Sequence, residues 1–277
     1  MPDGVEAGIL AVLASVIAQM SNWEPESDIS RFNRSVLGEW QPMPEDFLKV
    51  LRAGLRVAKG SGGAFDPAIG AMVEAWGFGP AGRRSSPPAA GQGWRAISLD
   101  GDCVRRDAPV TLDLSGIAKG FAVDAVADRL LALGLQNFLI EIGGELRGEG
   151  VKPDGQPWWV DVEVPPGLSA PVTRIALCGL AIATSGDYRR WFEEDGIRYA
   201  HSLDPRTGIP VANGVASVTV FHPSTMYADA WATALLVLGP QEGLSLAARN
   251  GLAAMMITRG LSGAKEWMSP AFNSMLG

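Results

Sequence analysis

Histidine and cysteine are nearly missing from this chain: its 277 residues contain two of each. Cys103 and Cys178 sit in strand-like runs without the paired spacing of a zinc site or a redox motif, so both are expected to be buried free thiols. Basic residues are in deficit too, with a formal net charge of -7. Non-specific affinity for a phosphate backbone needs clustered Lys and Arg, so the balance argues against nucleic acid as a partner. Long apolar runs are also lacking. The one near the start, Ile9 to Met20, is twelve residues, short of a bilayer span. It follows an acidic MPDGVE rather than a basic segment and does not read as a signal peptide. As written, the chain is expected to have no transmembrane segment and to stay in the cytoplasm.

What is present is the composition of a folded protein, 47% hydrophobic and 19% charged. Ile9, Val12, Leu13, Val16, Ile17 and Met20 follow helical spacing and predict a core-facing helix. A second helix follows Pro44, with Phe47, Leu48, Leu51 and Leu55 on one side, and ends near Gly60. SGGAFDPAIG then breaks the pattern, and its Asp-Pro turn opens a helix through Met72 and Val73 toward Trp76. Pro80 to Gly93 reads as a surface loop. Asp100-Gly101 predicts a hairpin, followed by a strand VTLDL and a helix with Ile117, Phe121, Val126 and Leu130 that closes at Gly134.

The units FLIEIGGELRGEG, WWVDVEV and the run through Ile182 read as strands joined by turns. An Asp195-Gly196 hairpin follows and delivers His201 at the end of its return strand. A helix near Gln241 to Asn250 and the strand LAAMMITR complete the pattern. Strands in succession with few intervening helices predict an α+β fold, with mixed, largely antiparallel sheets packed with helices. A single domain, 1–277, is expected.

The chain is organised around Tyr199 to Gly239. Asp229 and Thr233 are four residues apart, which puts both on one helix face. Two hard oxygen donors projecting together suit Mg²⁺, although such pairs also occur in helices by chance. Strand, then SG, then helix is an anion-binding layout: Gly116 admits the backbone, free amides point outward, and Lys119 adds charge one turn in. A plain Ser-capped helix with a solvated Lys is the other reading. Imidazole accepts protons at neutral pH, which makes His201 a candidate base, whereas His222 reads as a strand-end residue without a role. Asp66 and Asp204 also fit simple Asp-Pro turns.

Four segments together resemble the ApbE family of FAD:protein FMN transferases over about residues 10 to 258. They are MSNWEPESDISRFN, GGAFDPAIGAMVEAWGFGP, DLSGIAKGFAVD with EIGGELRG behind it, and SGDY followed by HSLDPRTG and ADAWATALLVLG. The resemblance implies a reaction in which FAD is the substrate and Mg²⁺ the cofactor. The FAD pyrophosphate is split, FMN moves to a Thr or Ser hydroxyl of an acceptor flavoprotein carrying a flavinylation-type Thr motif, and AMP leaves.

By position, Asp229 and Thr233 resemble the family's Mg²⁺ ligands, with Gly116 contributing its backbone carbonyl. Some members have a further acidic ligand just before the Thr, where this chain has Ala232. Contacts to the flavin nucleotide are implied for Trp23, Ala64, Phe65, Asp66, Asp113, Lys119 and Leu203. His201 resembles the general base. Family members usually begin with a strand carrying a Met-Gly-Thr turn, and this sequence starts at the helix after it. A longer true N-terminus would imply a periplasmic or membrane-anchored protein. An FAD pyrophosphatase giving FMN and AMP, or a non-catalytic FAD-binding protein, remain the competing expectations.

Overall fold

The computed structural model describes residues 4–83, 90–260 and 263–276. Part of the surface loop expected over Pro80 to Gly93 lies outside the described residues. Its helices are α1 Val5–Met20, α2 Asp28–Arg34, α3 Glu45–Gly60, α4 Gly70–Ala75, α5 Ala118–Ala132, α6 Thr225–Arg249 and α7 Pro270–Leu276. The expected α+β architecture is present. A six-stranded sheet runs in the order Gly263–Met268, Ala253–Gly260, Val215–His222, Leu180–Gly186, Glu145–Glu149, Phe138–Ile142. Every neighbouring pair in it is antiparallel.

Both faces of this sheet are covered, and the alternation of side chains decides which residue goes where. Val218, Val220, Ala254 and Met256 point to the main core, where they meet α6 and residues of α3. Phe221, Ala253, Met255 and Ile257 point to a second core with Leu177, Ile175 and Phe272. Burial on both faces is why Val215–His222 is an almost unbroken apolar run.

Helix α6 crosses α5 at close range. A Cβ on Gly120 would meet the Thr225 carbonyl oxygen and come within 2.8 Å of Met226 Cα, so only glycine allows the approach. Asp124, one turn further along α5, then caps α6. Its carboxylate accepts the amides of Thr225 at 2.9 Å and Met226 at 3.0 Å and the Ser224 hydroxyl at 2.7 Å. Arg147 donates to the same carboxylate at 3.1 Å, so the buried charge is compensated. Further along α6, Gly239 leaves helical geometry with φ 75° before Pro240, which matches a helix break between the two expected segments.

Three expectations require correction. VTLDL is not a strand: its one bridge is Thr111 to Ile69, and the Leu112 backbone is held instead by the Asn33 side chain, at 2.7 and 2.9 Å. Cys178 is exposed and Cys103 half-buried, because Cys178 falls in the turn between Arg174–Leu177 and Leu180–Gly186. In α1, Met20 is buried, but Ile9, Val12, Leu13 and Val16 are half-covered and Ile17 is 50% exposed. This helix lies against α5 at the rim rather than in the core. Among the described residues no helix is long and apolar enough to cross a membrane.

The close crossing of α5 and α6 makes a direct prediction. Gly120→Ala should lower unfolding stability by about 1–3 kcal/mol, the usual range for forcing an extra methyl into a packed contact. Urea unfolding of both proteins measures it. Wild-type stability would mean that the helices separate without cost.

Candidate active site

A cavity of about 390 Å³ opens where α5 begins, beside the second turn of α6 and the His201 end of the Trp191–Glu194 and Ile197–Ala200 hairpin. Two larger clefts, about 670 and 450 Å³, contain none of the residues expected to carry chemistry. Ala64, Phe65, Asp66, Asp113, Gly116, Lys119, His201, Leu203, Asp229 and Thr233 all line the smaller cavity. Residues up to 169 positions apart in sequence therefore share one surface. Trp23 does not line it. That ring is 59% exposed and stands outside, 5.8 Å from the guanidinium of Arg190, which does line the cavity.

Asp229 is 3% exposed and reaches the site because α6 is seated on Gly120, whose amide donates to Asp229 Oδ2 at 3.0 Å. One turn on, Thr233 Oγ1 is 3.0 Å from Ser185 Oγ at the end of a core strand. A Cβ on Gly116 would lie 3.3 Å from Thr233 Oγ1, so glycine leaves the backbone open to that hydroxyl. Asp229, Thr233, Ser185 and Gly116 line one cavity, and oxygen donors of the kind their side chains carry suit a hard cation. Among the described residues no group of three or more His, Cys, Asp or Glu forms a metal cluster.

Lys119 is hydrogen-bonded to Glu145 and lies 3.8 Å from Asp229 Oδ1. Burial favours the neutral amine, but the charges of Asp229 and Glu145 outweigh it and hold the lysine pKa above its ordinary value. Burial and the nearby Asp229 push Glu145 up to about 7. Sequence reading missed this glutamate as a site residue. The signal was in EIGGELRG: the Gly143-Gly144 turn, with φ 65° and 100°, leads the chain directly into Glu145.

The anion seat expected at the start of α5 also needs correction. Most of its amides are engaged: Ser115 donates to Asp113 at 2.8 Å, Ile117 and Ala118 to the Leu114 carbonyl at 3.0 and 2.8 Å, and Gly120 to Asp229. The positive charge here comes from Lys119 rather than from free amides. Asp66 combines its two readings. Its carboxylate accepts the Ala68 amide at 2.8 Å to set the turn, and it lines the cavity, where burial raises its pKa to about 6. Asp204 sets a turn, accepting the Arg206 amide at 2.9 Å, and pairs with the Arg206 guanidinium at 2.8 Å.

The two histidines separate clearly. His201 Nδ1 is 3.1 Å from the Arg190 carbonyl, which can only accept, so Nδ1 carries the proton and Nε2 keeps a lone pair. His222 ends its strand outside the cavity, with Nδ1 accepting the Ser224 amide at 2.9 Å. Burial lowers the His201 pKa below 6.5, and the charges of Arg190 and Lys119 act the same way. A depressed pKa means that protonation disfavours the folded state as pH falls through the unfolded value. A ¹⁵N-detected titration should therefore place the His201 midpoint below 6.5, with the Nδ1–H tautomer at neutral pH. A midpoint at or above 6.5 would contradict this environment.

Comparison with known proteins gives the family. Residues 3–256 match the ApbE family. The chain is 40% identical over 275 residues to an FAD:protein FMN transferase of Vibrio cholerae, covering 96% of this chain and 82% of that protein. It is also 40% identical over 283 residues to one of Haemophilus influenzae, with the same coverage. In three dimensions it is similar to the apo flavinyl transferase ApbE of Pseudomonas stutzeri, with TM-score 0.92 and 40% identity over 100% of this chain and 89% of the other. The ApbE protein of Thermotoga maritima superposes with TM-score 0.86 at 29% identity, covering 99% and 91%. A match across nearly the whole chain, in both sequence and fold, means that this protein belongs to the ApbE family.

Proposed function

We propose that this protein is an FAD:protein FMN transferase acting as one ApbE-like domain over residues 1–277. It would move FMN from FAD to a Thr or Ser hydroxyl of an acceptor flavoprotein and release AMP. The observation that carries the reading is that Asp229, Thr233 and Ser185, Lys119, and a His201 whose Nδ1 is hydrogen-bonded to the backbone all line one cavity. The relatives' printed names give the class of reaction.

Asp229, Thr233 and the Gly116 carbonyl would hold Mg²⁺ when it is bound. The cation supplies charge neutralisation at the pyrophosphate. Lys119 would offer the phosphate a point charge from the same side. His201 Nε2 would take the proton of the acceptor hydroxyl, whose oxygen then bonds to the FMN phosphorus as the bond to the AMP phosphate breaks. The Arg190 carbonyl fixes the imidazole through Nδ1–H, so the basic nitrogen is held in one tautomer. Phe65, Ala64, Asp66, Asp113 and Leu203 would contact the nucleotide, with Trp23 closing over it from outside the cavity.

His201→Asn should keep FAD binding and folding but slow single-turnover transfer by about 10²-fold or more, the usual scale for losing a general base. The measurement is covalent flavin fluorescence on a co-expressed acceptor, at saturating FAD. Transfer by the variant at the wild-type rate would remove His201 from the mechanism. FMN and AMP release with no labelled acceptor would instead make the protein a pyrophosphatase.

Asp229→Asn keeps an oxygen for the Gly120 amide, so it should fold yet lose cation-dependent AMP release. Wild-type release at ordinary Mg²⁺ concentration would overturn the ligand role.

A further inference from the structure

Glu145 is more deeply buried than any surface role needs, at 1% exposure, and it lines the cavity. One oxygen, Oε1, takes the hydrogen bond from Lys119. The other, Oε2, is sealed from solvent and has no hydrogen-bond partner among the described residues. A carboxylate oxygen left so is costly unless a ligand completes it.

The charge count leads to the same place. Asp229 and Glu145 are both buried, and the nitrogen of Lys119 is the cation that faces both. Arg189 also lines the cavity, but its guanidinium is held by Glu163 at 2.5 Å and faces the Gly143 carbonyl. One ammonium cannot neutralise two ionised carboxylates, so one of the two groups keeps its proton until more positive charge arrives. A divalent cation can neutralise both, and a further carboxylate is a ligand of the type that such ions prefer. The Lys119 side chain is 46% exposed although its nitrogen meets both carboxylates, so the ammonium has a path toward solvent.

We infer that Glu145 is part of the divalent-cation site, and that Lys119 is the monovalent counter-ion holding Asp229 and Glu145 until a divalent cation replaces it. The inference rests on the reading of Asp229 as a cation ligand. Displacement frees the ammonium to meet the incoming phosphate, so cation loading and substrate binding are coupled through one side chain. Occupancy by Lys119 also sets a ceiling on cation affinity without FAD, because each bound ion must first displace a bonded ammonium.

Mn²⁺ binding to the whole chain without FAD, followed by electron paramagnetic resonance, tests this apart from activity. Glu145→Gln should weaken Mn²⁺ binding by about tenfold or more, the scale seen when a supporting group of a metal site is lost. Lys119→Met should strengthen it by about tenfold, because a like charge close to the ion is removed. Mn²⁺ should also raise the melting temperature of Lys119→Met more than that of the wild type, since the ion binds only the folded form. Folding of Lys119→Met only with Mn²⁺ present would support the same conclusion. Wild-type affinity in Glu145→Gln, or no gain in a folded Lys119→Met, overturns the inference. Asp229→Asn separates the two levels: unchanged Mn²⁺ affinity there overturns the cation reading of Asp229 itself, and with it this proposal.

Discussion

The contact on which the site depends is the seating of α6 on Gly120 of α5. With no side chain there, the Thr225 backbone lies directly against the helix, and the Gly120 amide becomes the donor that fixes Asp229. Asp124 secures the same crossing by accepting two amides and a hydroxyl at the start of α6. A cap of this kind is worth about 1 kcal/mol in stability, but its larger effect is geometric. It sets the rotation of α6 and thereby the direction in which Asp229 and Thr233 face. The two segments are more than a hundred residues apart, so the pairing is a product of folding and not of local chain geometry.

Charge is the second constraint. The protein is acidic overall, yet the cavity gathers Lys119, Arg189, Arg190 and His201 around Asp229 and Glu145. Burial makes each of these groups depend on the others. Lys119 stays protonated because two carboxylates face it, while His201 stays neutral because burial, Arg190 and Lys119 all oppose its protonation. One cavity can therefore hold a permanent cation and a neutral base within the same electrostatic field. In the proposed mechanism, proton abstraction and anion recognition would fall to different residues.

The outer parts of the site are built differently. The Trp191–Glu194 and Ile197–Ala200 hairpin stands apart from the large sheet and turns through Asp195 and Gly196, both at positive φ. It stacks Phe192 on Tyr199 and brings Tyr199 against Trp76, while the Phe78 ring meets His201 edge-on at 6.3 Å. Trp23 remains outside this packing, against Arg190. An aromatic at the rim has no local pattern that fixes its distance from the cavity.

Sequence alone determined what local chemistry encodes. Helical spacing located α3 and α5, the strand-like runs FLIEIGGELRGEG, the one through Ile182 and LAAMMITR fell in the large sheet, and Asp195-Gly196 placed the hairpin that carries His201. The i, i+4 pair Asp229 and Thr233 shared a helix face as its spacing required, and the ordered motifs identified the family. Tertiary structure decided everything that needed a partner distant in the chain. VTLDL lost its strand because Asn33 and the α4 loop took its backbone groups, and Cys178 became exposed because the turn after Leu177 faces solvent. The amides of α5 proved to be occupied, since Asp113, Leu114 and Asp229 reached them first. Glu145 could not be assigned without the fold, because only the fold puts it beside Lys119. Periodicity and turn chemistry act over a few residues, whereas burial and charge compensation depend on which segments meet.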